Sequence, residues 1–88
     1  MEIHYTREFL ATLKKLDKGN GGRTTKLLKK KLSLLLQDKY HNGLRLHKIE
    51  LDELIAWSIS LDMKIRVLFV YEGKDIVLVQ IGTHDQVY

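Results

Sequence analysis

The chain has 88 residues, no cysteine and 44% apolar residues; 15 Lys and Arg stand against 11 Asp and Glu, a formal net charge of +4. That length suits one domain spanning 1–88, burying about 60–65% of its unfolded surface, with no room for a second catalytic domain. The lack of cysteine excludes a disulfide framework, a thiolate zinc site and a cysteine nucleophile, and no apolar run approaches the ~20 residues that span a bilayer.

Residues 2–5 alternate weakly and suit a short first strand. Thr6 then stands at an N-cap position, followed by Phe9, Leu10, Leu13 and Leu16 on one helical face. Lys18-Gly19-Asn20 ends that helix. Thr24 or Thr25 opens a second, running to about Gln37, with a broad leucine face and Lys26, Lys29, Lys30 and Lys31 largely opposite. The two helices are expected to pair as a hairpin. After the turn signal His41-Asn42-Gly43 the period changes to two. Residues 44–49 read as a half-buried strand and residues 50–53 as a polar connection. Residues 55–61 read as a strand with Trp57, Ile59 and Leu61 on one face and Ser58 and Ser60 on the other. Two further runs, 65–71 and 76–81, flank the hairpin loop Glu72-Gly73-Lys74-Asp75 and read as the central antiparallel strands. The expected fold is α+β: an N-terminal helical hairpin packed on a four-to-five-stranded, mainly antiparallel sheet.

Charge is uneven. The first 48 residues hold twelve basic and four acidic side chains, net +8; the last forty hold three and seven, net −4. A basic half raises the expectation of a polyanionic partner, nucleic acid first, although lysine-rich helices also serve solubility. The N-terminus lacks the basic-then-apolar plan of a signal peptide, so the expected location is the cytoplasm, with no membrane partner.

The sheet face away from the helices is expected to collect polar groups. Ser58 and Ser60 point there, and Arg45 and His47 flank them on the neighbouring strand. Arg66, the lone charge in a strongly apolar strand, emerges there too, since burial without a partner costs several kcal/mol. Two readings of Arg66 stay open: a structural ion pair with Asp62 or Asp85, or a phosphate-binding arginine beside His47. Near the C-terminus His84 and Tyr88, four apart in a final turn, make a workable pair for proton transfer and base stacking. The four histidines at 4, 41, 47 and 84 are dispersed without metal-ligand spacing, and no Walker loop, dinucleotide fingerprint, nucleophile elbow or zinc-deaminase signature occurs. Neither a metal nor another cofactor is expected.

The segments Leu46-His47-Lys48-Ile49, Trp57-Ser58-Ile59-Ser60, Ile65-Arg66-Val67-Leu68-Phe69 and Ile81-Gly82-Thr83-His84-Asp85-Gln86-Val87-Tyr88 resemble the RelE/YafQ toxins of bacterial type II toxin–antitoxin systems. Within the RelE/ParE superfamily the closing Gly-Thr-His-Asp-x-Val-Tyr is nearest the YafQ-like branch, and the element order fits over essentially the whole chain. The resemblance implies a RelE-like fold and a metal-independent endoribonuclease, an mRNA interferase acting on messenger RNA on the ribosome and silenced by a cognate antitoxin. By the same resemblance His84 acts in general acid–base chemistry, Tyr88 contacts the nucleotide, Arg66 holds the scissile phosphate and His47 is a further active-site histidine.

Such cleavage needs the 2′-hydroxyl deprotonated, the 5′-oxygen protonated and the phosphorane charge stabilised, which His84, His47 and Arg66 suit. Arg45, Lys48, Ser58, Ser60 and Lys64 are the expected substrate contacts, and Lys14, Lys15, Lys26, Lys29 and Lys30 the surface for RNA or antitoxin. Ser58 and Ser60 stand where relatives often place Lys, Arg or His, and Lys64 where YafQ-like relatives tend to have aspartate. Two alternatives therefore stand beside the nuclease: a ParE-like inhibitor of DNA gyrase, and a catalytically degenerate module that only binds its antitoxin.

Overall fold

The computed structural model describes residues 2–83. Its elements run β1 (Ile3–Tyr5), α1 (Arg7–Lys18), α2 (Arg23–Gln37), a 3-10 turn (Asn42–Leu44), β2 (His47–Leu51), β3 (Leu54–Ser60), β4 (Ile65–Glu72) and β5 (Asp75–Thr83). The strands form one sheet in the order β1-β5-β4-β3-β2, antiparallel throughout except for the parallel β1–β5 pair. This is the α+β, hairpin-on-sheet architecture expected from the sequence.

Thr6 caps α1 as its position predicts, its hydroxyl accepting from the Phe9 amide at 3.1 Å. The start of α2 departs from expectation. Neither Thr24 nor Thr25 is the N-cap; Gly22 is, at φ 86 and with no side-chain cap. Asp17, in the last turn of α1, substitutes for one: its carboxylate accepts from the Thr25 amide at 3.0 Å and closely from the Thr25 hydroxyl. Asn20 adds an acceptor for the Arg23 amide at 3.0 Å. The hairpin is thus fixed by polar side chains of the end of α1 and of the connection, which satisfy amides the first turn of α2 leaves without intrahelical acceptors. These bonds also hold the Asp17 carboxyl below its ordinary pKa, the Thr25 hydroxyl contributing most.

The extended segment expected from residue 44 begins only at His47. Residues 42–44 turn instead, with the Gly43 amide donating to His41 Nδ1 at 3.0 Å and Lys31 Nζ to the Gly43 carbonyl at 3.0 Å. The turn drives Leu44 to complete burial in the core, and Arg45, at φ 48, reverses the chain into β2. The connection expected over residues 50–53 shrinks to Asp52-Glu53, because Leu51 pairs with Leu54; Asp52 takes the positive φ (53) that this tight turn needs. The β4–β5 hairpin turns as predicted, with Glu72 opposite Asp75 and Gly73 at φ 63.

The core lies between the helices and one sheet face. Phe9, Leu13, Leu28 and Leu35 meet Ile59, Val67, Phe69, Ile76, Leu78 and Ile81, with Trp57 and Ile65 packed at its margin. A fully buried Phe or Leu contributes about 1.5–3 kcal/mol relative to its exposed state. A smaller cluster, Ala56 and Leu68 with Ile49, Val70 and Val79, occupies the opposite face.

Leu78 and Ile81 are three apart, yet both join the helix-side core. A strict two-residue alternation forbids that. The register shifts between Leu68, opposite Gln80, and Phe69, opposite Leu78, so Val79 is an extra residue in β5. This bulge resets the phase of the strand, turning Ile81 inward and Gly82 to the face away from the helices.

Candidate functional site

Cross-strand register assembles a polar group on that outer face. His47 pairs with Ser58 across β2–β3, Ser60 with Arg66 across β3–β4, and Arg66 with Gly82 across β4–β5. Directly paired residues share a face, so His47, Ser58, Ser60 and Arg66 all lie opposite the helices, as expected. His47, Ser58, Arg66 and Thr83 each have an interaction partner. His47 is exposed and Arg66 half-buried, with its Nη1 atom buried.

The serines differ from expectation in one respect. Ser58 is fully buried and Ser60 nearly so (0% and 6% exposed), where surface positions were expected. Both serines lie on β3, which has β4 on one side and the edge strand β2 on the other.

The remaining expected substrate contacts do not all gather there. Arg45 lies in the turn before β2, not beside Ser58 on a strand. Lys48 pairs with Trp57 and therefore projects to the helix side, 3.6 Å from Glu50. Lys64 is exposed in the turn before β4, where Asp62 Oδ1 accepts from the Lys64 and Ile65 amides at 2.8 and 2.7 Å. That turn brings Lys64 to the end of the sheet where Arg66 lies. His84 and Tyr88, and Asp85 as a partner for Arg66, lie outside the described residues. β5 delivers the chain to residue 84 at Thr83, which pairs with Ile65 beside Arg66.

Lys14 and Lys15 on α1, and Lys26, Lys29 and Lys30 on α2, are all exposed. Between the helices and β1 runs an apolar groove of about 320 Å³, lined by Tyr5, Leu10, Leu13, Leu28, Lys29 and Leu32.

A second group was missed in the sequence. Glu2, His4 and Asp75 bring their ligand-type atoms within 4.8 Å of one another at the far end of β5. Two of them are two residues apart, Glu2 just before β1 and His4 on it, a spacing that metal-site patterns built on helices do not register; the third comes from the β4–β5 turn. The Glu2 amide donates to Asp75 Oδ1 at 2.9 Å and His4 Nε2 lies 3.3 Å from Asp75 Oδ2. The Asp75 carboxyl is held below its ordinary pKa, first by the Glu2 amide and then by His4.

No protein-family model and no curated protein matches the sequence. Solved structures do match. A metal-bound toxin from Helicobacter pylori superposes with a TM-score of 0.83 at 19% identity, covering 100% of this chain and 99% of that one. YafQ from E. coli matches with a TM-score of 0.75 at 15% identity over 98% and 96% of the two chains.

The fold is that of the RelE/YafQ toxins.

YafQ also matches as it stands in the E. coli DinJ–YafQ complex, at 16% identity and a TM-score of 0.76, over 98% of this chain and 96% of that one. The RelE-like fold anticipated from the sequence is the one these structures share. Among the described residues, no helix is long and apolar enough to cross a membrane.

Proposed function

We propose that this RelE-type fold serves as the toxin of a type II toxin–antitoxin pair: a metal-independent endoribonuclease that cleaves messenger RNA on the ribosome and is silenced by a cognate antitoxin. The observation that carries the reading is the placement of His47 and Arg66 on one sheet face, at the end where Thr83 leads to His84. Arg66 binds the scissile phosphate and stabilises the charge of the phosphorane, a role that a half-buried guanidinium fills well because low local dielectric strengthens it. His47 and His84 divide the two proton transfers: one takes the 2′-hydroxyl proton, the other protonates the leaving 5′-oxygen. Tyr88 stacks on the nucleotide. Lys64, at the same sheet end, meets a flanking phosphate, and the helical lysines hold ribosomal RNA through salt-sensitive contacts. The ribosome supplies substrate positioning.

The antitoxin reading rests on the DinJ–YafQ likeness and on charge. An acidic amphipathic segment of the antitoxin lays its apolar face in the groove between α1, α2 and β1, with its acids against Lys29 and the neighbouring lysines. The protein then acts in the cytoplasm, where its message and ribosomes are.

A catalytically silent antitoxin-binding module is the second reading. The observation that favours it is the burial of Ser58 and Ser60 where relatives place cationic groups. Purified protein, programmed ribosomes and end-mapped message separate the two. Ribosome-dependent cuts that vanish in His84→Ala are expected for the nuclease; an intact message with folded wild-type protein overturns it and leaves the binding module. A gyrase supercoiling assay is expected to show no inhibition.

A further inference from the structure

We propose that Glu2, His4 and Asp75 form a binding site for one borderline divalent transition-metal ion, of the zinc class, clasping the start of the chain to the β4–β5 hairpin.

The site is built by the fold. A strand sends residues two apart to the same side, so Glu2 and His4 project together while Ile3 between them packs on the core. Ile76 donates its amide to the Glu2 carbonyl at 3.0 Å, so Glu2 is already held against β5. Asp75 is fixed from the other direction, its Oδ1 accepting the Glu2 amide at 2.9 Å, which leaves Oδ2 turned toward the imidazole. Of the three prospective ligands the Glu2 side chain is the most exposed, at 77% against 51% for His4 and 37% for Asp75.

The spacing suits a metal. Ligand atoms bound tetrahedrally at about 2.0–2.1 Å lie about 3.3–3.4 Å apart. His4 Nε2 stands 3.3 Å from Asp75 Oδ2 and 3.6 Å from Glu2 Oε2, and all three atoms fall within 4.8 Å. Side-chain rotation closes the set, and water takes the open position. Glu72, opposite Asp75 in the hairpin, lines the same recess with His4 and adds negative charge near the ion. One imidazole with two carboxylates suits zinc, cobalt or nickel, whereas magnesium and calcium require oxygen ligands throughout.

The consequence is structural. Glu2 and Asp75 are 73 residues apart in sequence, so the unfolded chain does not hold the ligands together, and an ion that binds only the folded form raises its stability by mass action. The strand from Asp75 to Gly82, at ~3.3 Å per residue, separates this site from Arg66 by roughly 20 Å. Binding here is therefore independent of the proposed nuclease chemistry and is tested without it.

The experiment uses the full chain without a histidine tag. Zinc chloride is titrated by calorimetry, and thermal melting is followed with and without zinc, for wild type, His4→Gln, Glu2→Gln, Asp75→Asn and His47→Gln. The expected result is one zinc per chain at this site and a melting temperature that rises with zinc. His4→Gln and Asp75→Asn are expected to weaken it at least ~10-fold and abolish the thermal response, while His47→Gln binds as wild type. Glu2→Gln reports on the same site should Asp75→Asn fold poorly. Zinc binding that survives in His4→Gln overturns the proposal, as does binding lost in His47→Gln, or no zinc-dependent melting shift up to about 1 mM, a concentration at which a millimolar site would already be half filled.

Discussion

Arg66 lies directly across the β4–β5 ladder from Gly82, and it does so because Val79 is bulged out of register. Had β5 kept strict alternation from Ile76 and Leu78, Gly82 would share their face and lie beneath the helices. The bulge puts a residue with no side chain opposite Arg66 on the outer face. It also places Ile81 in the core, so the phase of the strand end is fixed by apolar burial.

If Arg66 holds the scissile phosphate, Arg66→Ala lowers single-turnover cleavage of ribosome-bound message by about 10²–10³-fold, the scale for losing one preorganised charge donor. Arg66→Lys restores part of that loss, because lysine keeps the charge but not the paired hydrogen bonds. Quench-flow cleavage with circular dichroism as a fold control makes the measurement. Equal rates in Arg66→Ala and wild type would remove Arg66 from the chemistry.

Ser58 tests whether a buried hydroxyl supports the sheet or touches substrate. Its removal in Ser58→Ala is expected to cost about 1 kcal/mol of stability, and Ser58→Lys several kcal/mol, since the ammonium would enter a site with no solvent access. Urea unfolding reads both. A Ser58→Ala protein of unchanged stability that cleaves slowly would make the hydroxyl a substrate contact instead.

Asp17 and Asp75 both have folded-state pKa values lowered from 3.8, so their protonation opposes folding. The stabilising contribution of each carboxylate is complete above about pH 5 and is lost as the pH falls through 3.8 toward the depressed folded value. Melting temperature is therefore expected to be flat near neutrality and to fall below about pH 4. Asp17→Asn should melt lower than wild type at pH 7 and lose less on acidification, with thermal melts from pH 3 to 7 as the check. An identical acid response in both proteins would show that the Asp17–Thr25 contact does not couple to folding.

The exposed lysines predict a salt-sensitive hold on ribosomal RNA. Replacing Lys14, Lys15, Lys26, Lys29 and Lys30 with Gln weakens ribosome binding most at low salt. Each lysine that no longer neutralises a phosphate reduces the slope of log affinity against log salt by about 0.7–0.9. Sedimentation binding between 50 and 200 mM salt (roughly the range over which such interactions are screened) gives that slope. An unchanged slope would reserve the lysines for the antitoxin or for solubility.

Much of the site is visible in the sequence through parity. The alternation of Trp57, Ile59 and Leu61 with Ser58 and Ser60 assigns faces correctly, and Arg66 stands out as the charge in an apolar run. Burial of the serines is not visible, because it depends on what the neighbouring strands lay over them. Nor is the position of Arg45, whose apparent alternation with Leu44 and Leu46 is overridden when Leu44 turns into the core.

By itself the sequence determined what local sterics and hydrophobic period control: two helices, the Thr6 cap, the β4–β5 turn and the two-faced strands. Tertiary structure alone decided which distant residues meet. β1 pairs with β5 across nearly the full chain, Asp17 caps a helix to which it does not belong, the Val79 bulge sets the face of Gly82, and Glu2 and His4 converge on Asp75. The physical reason is that period and capping act over a few residues of backbone, whereas strand register is chosen by the burial of the whole core, and a polar side chain gains a remote neighbour only after that choice is made.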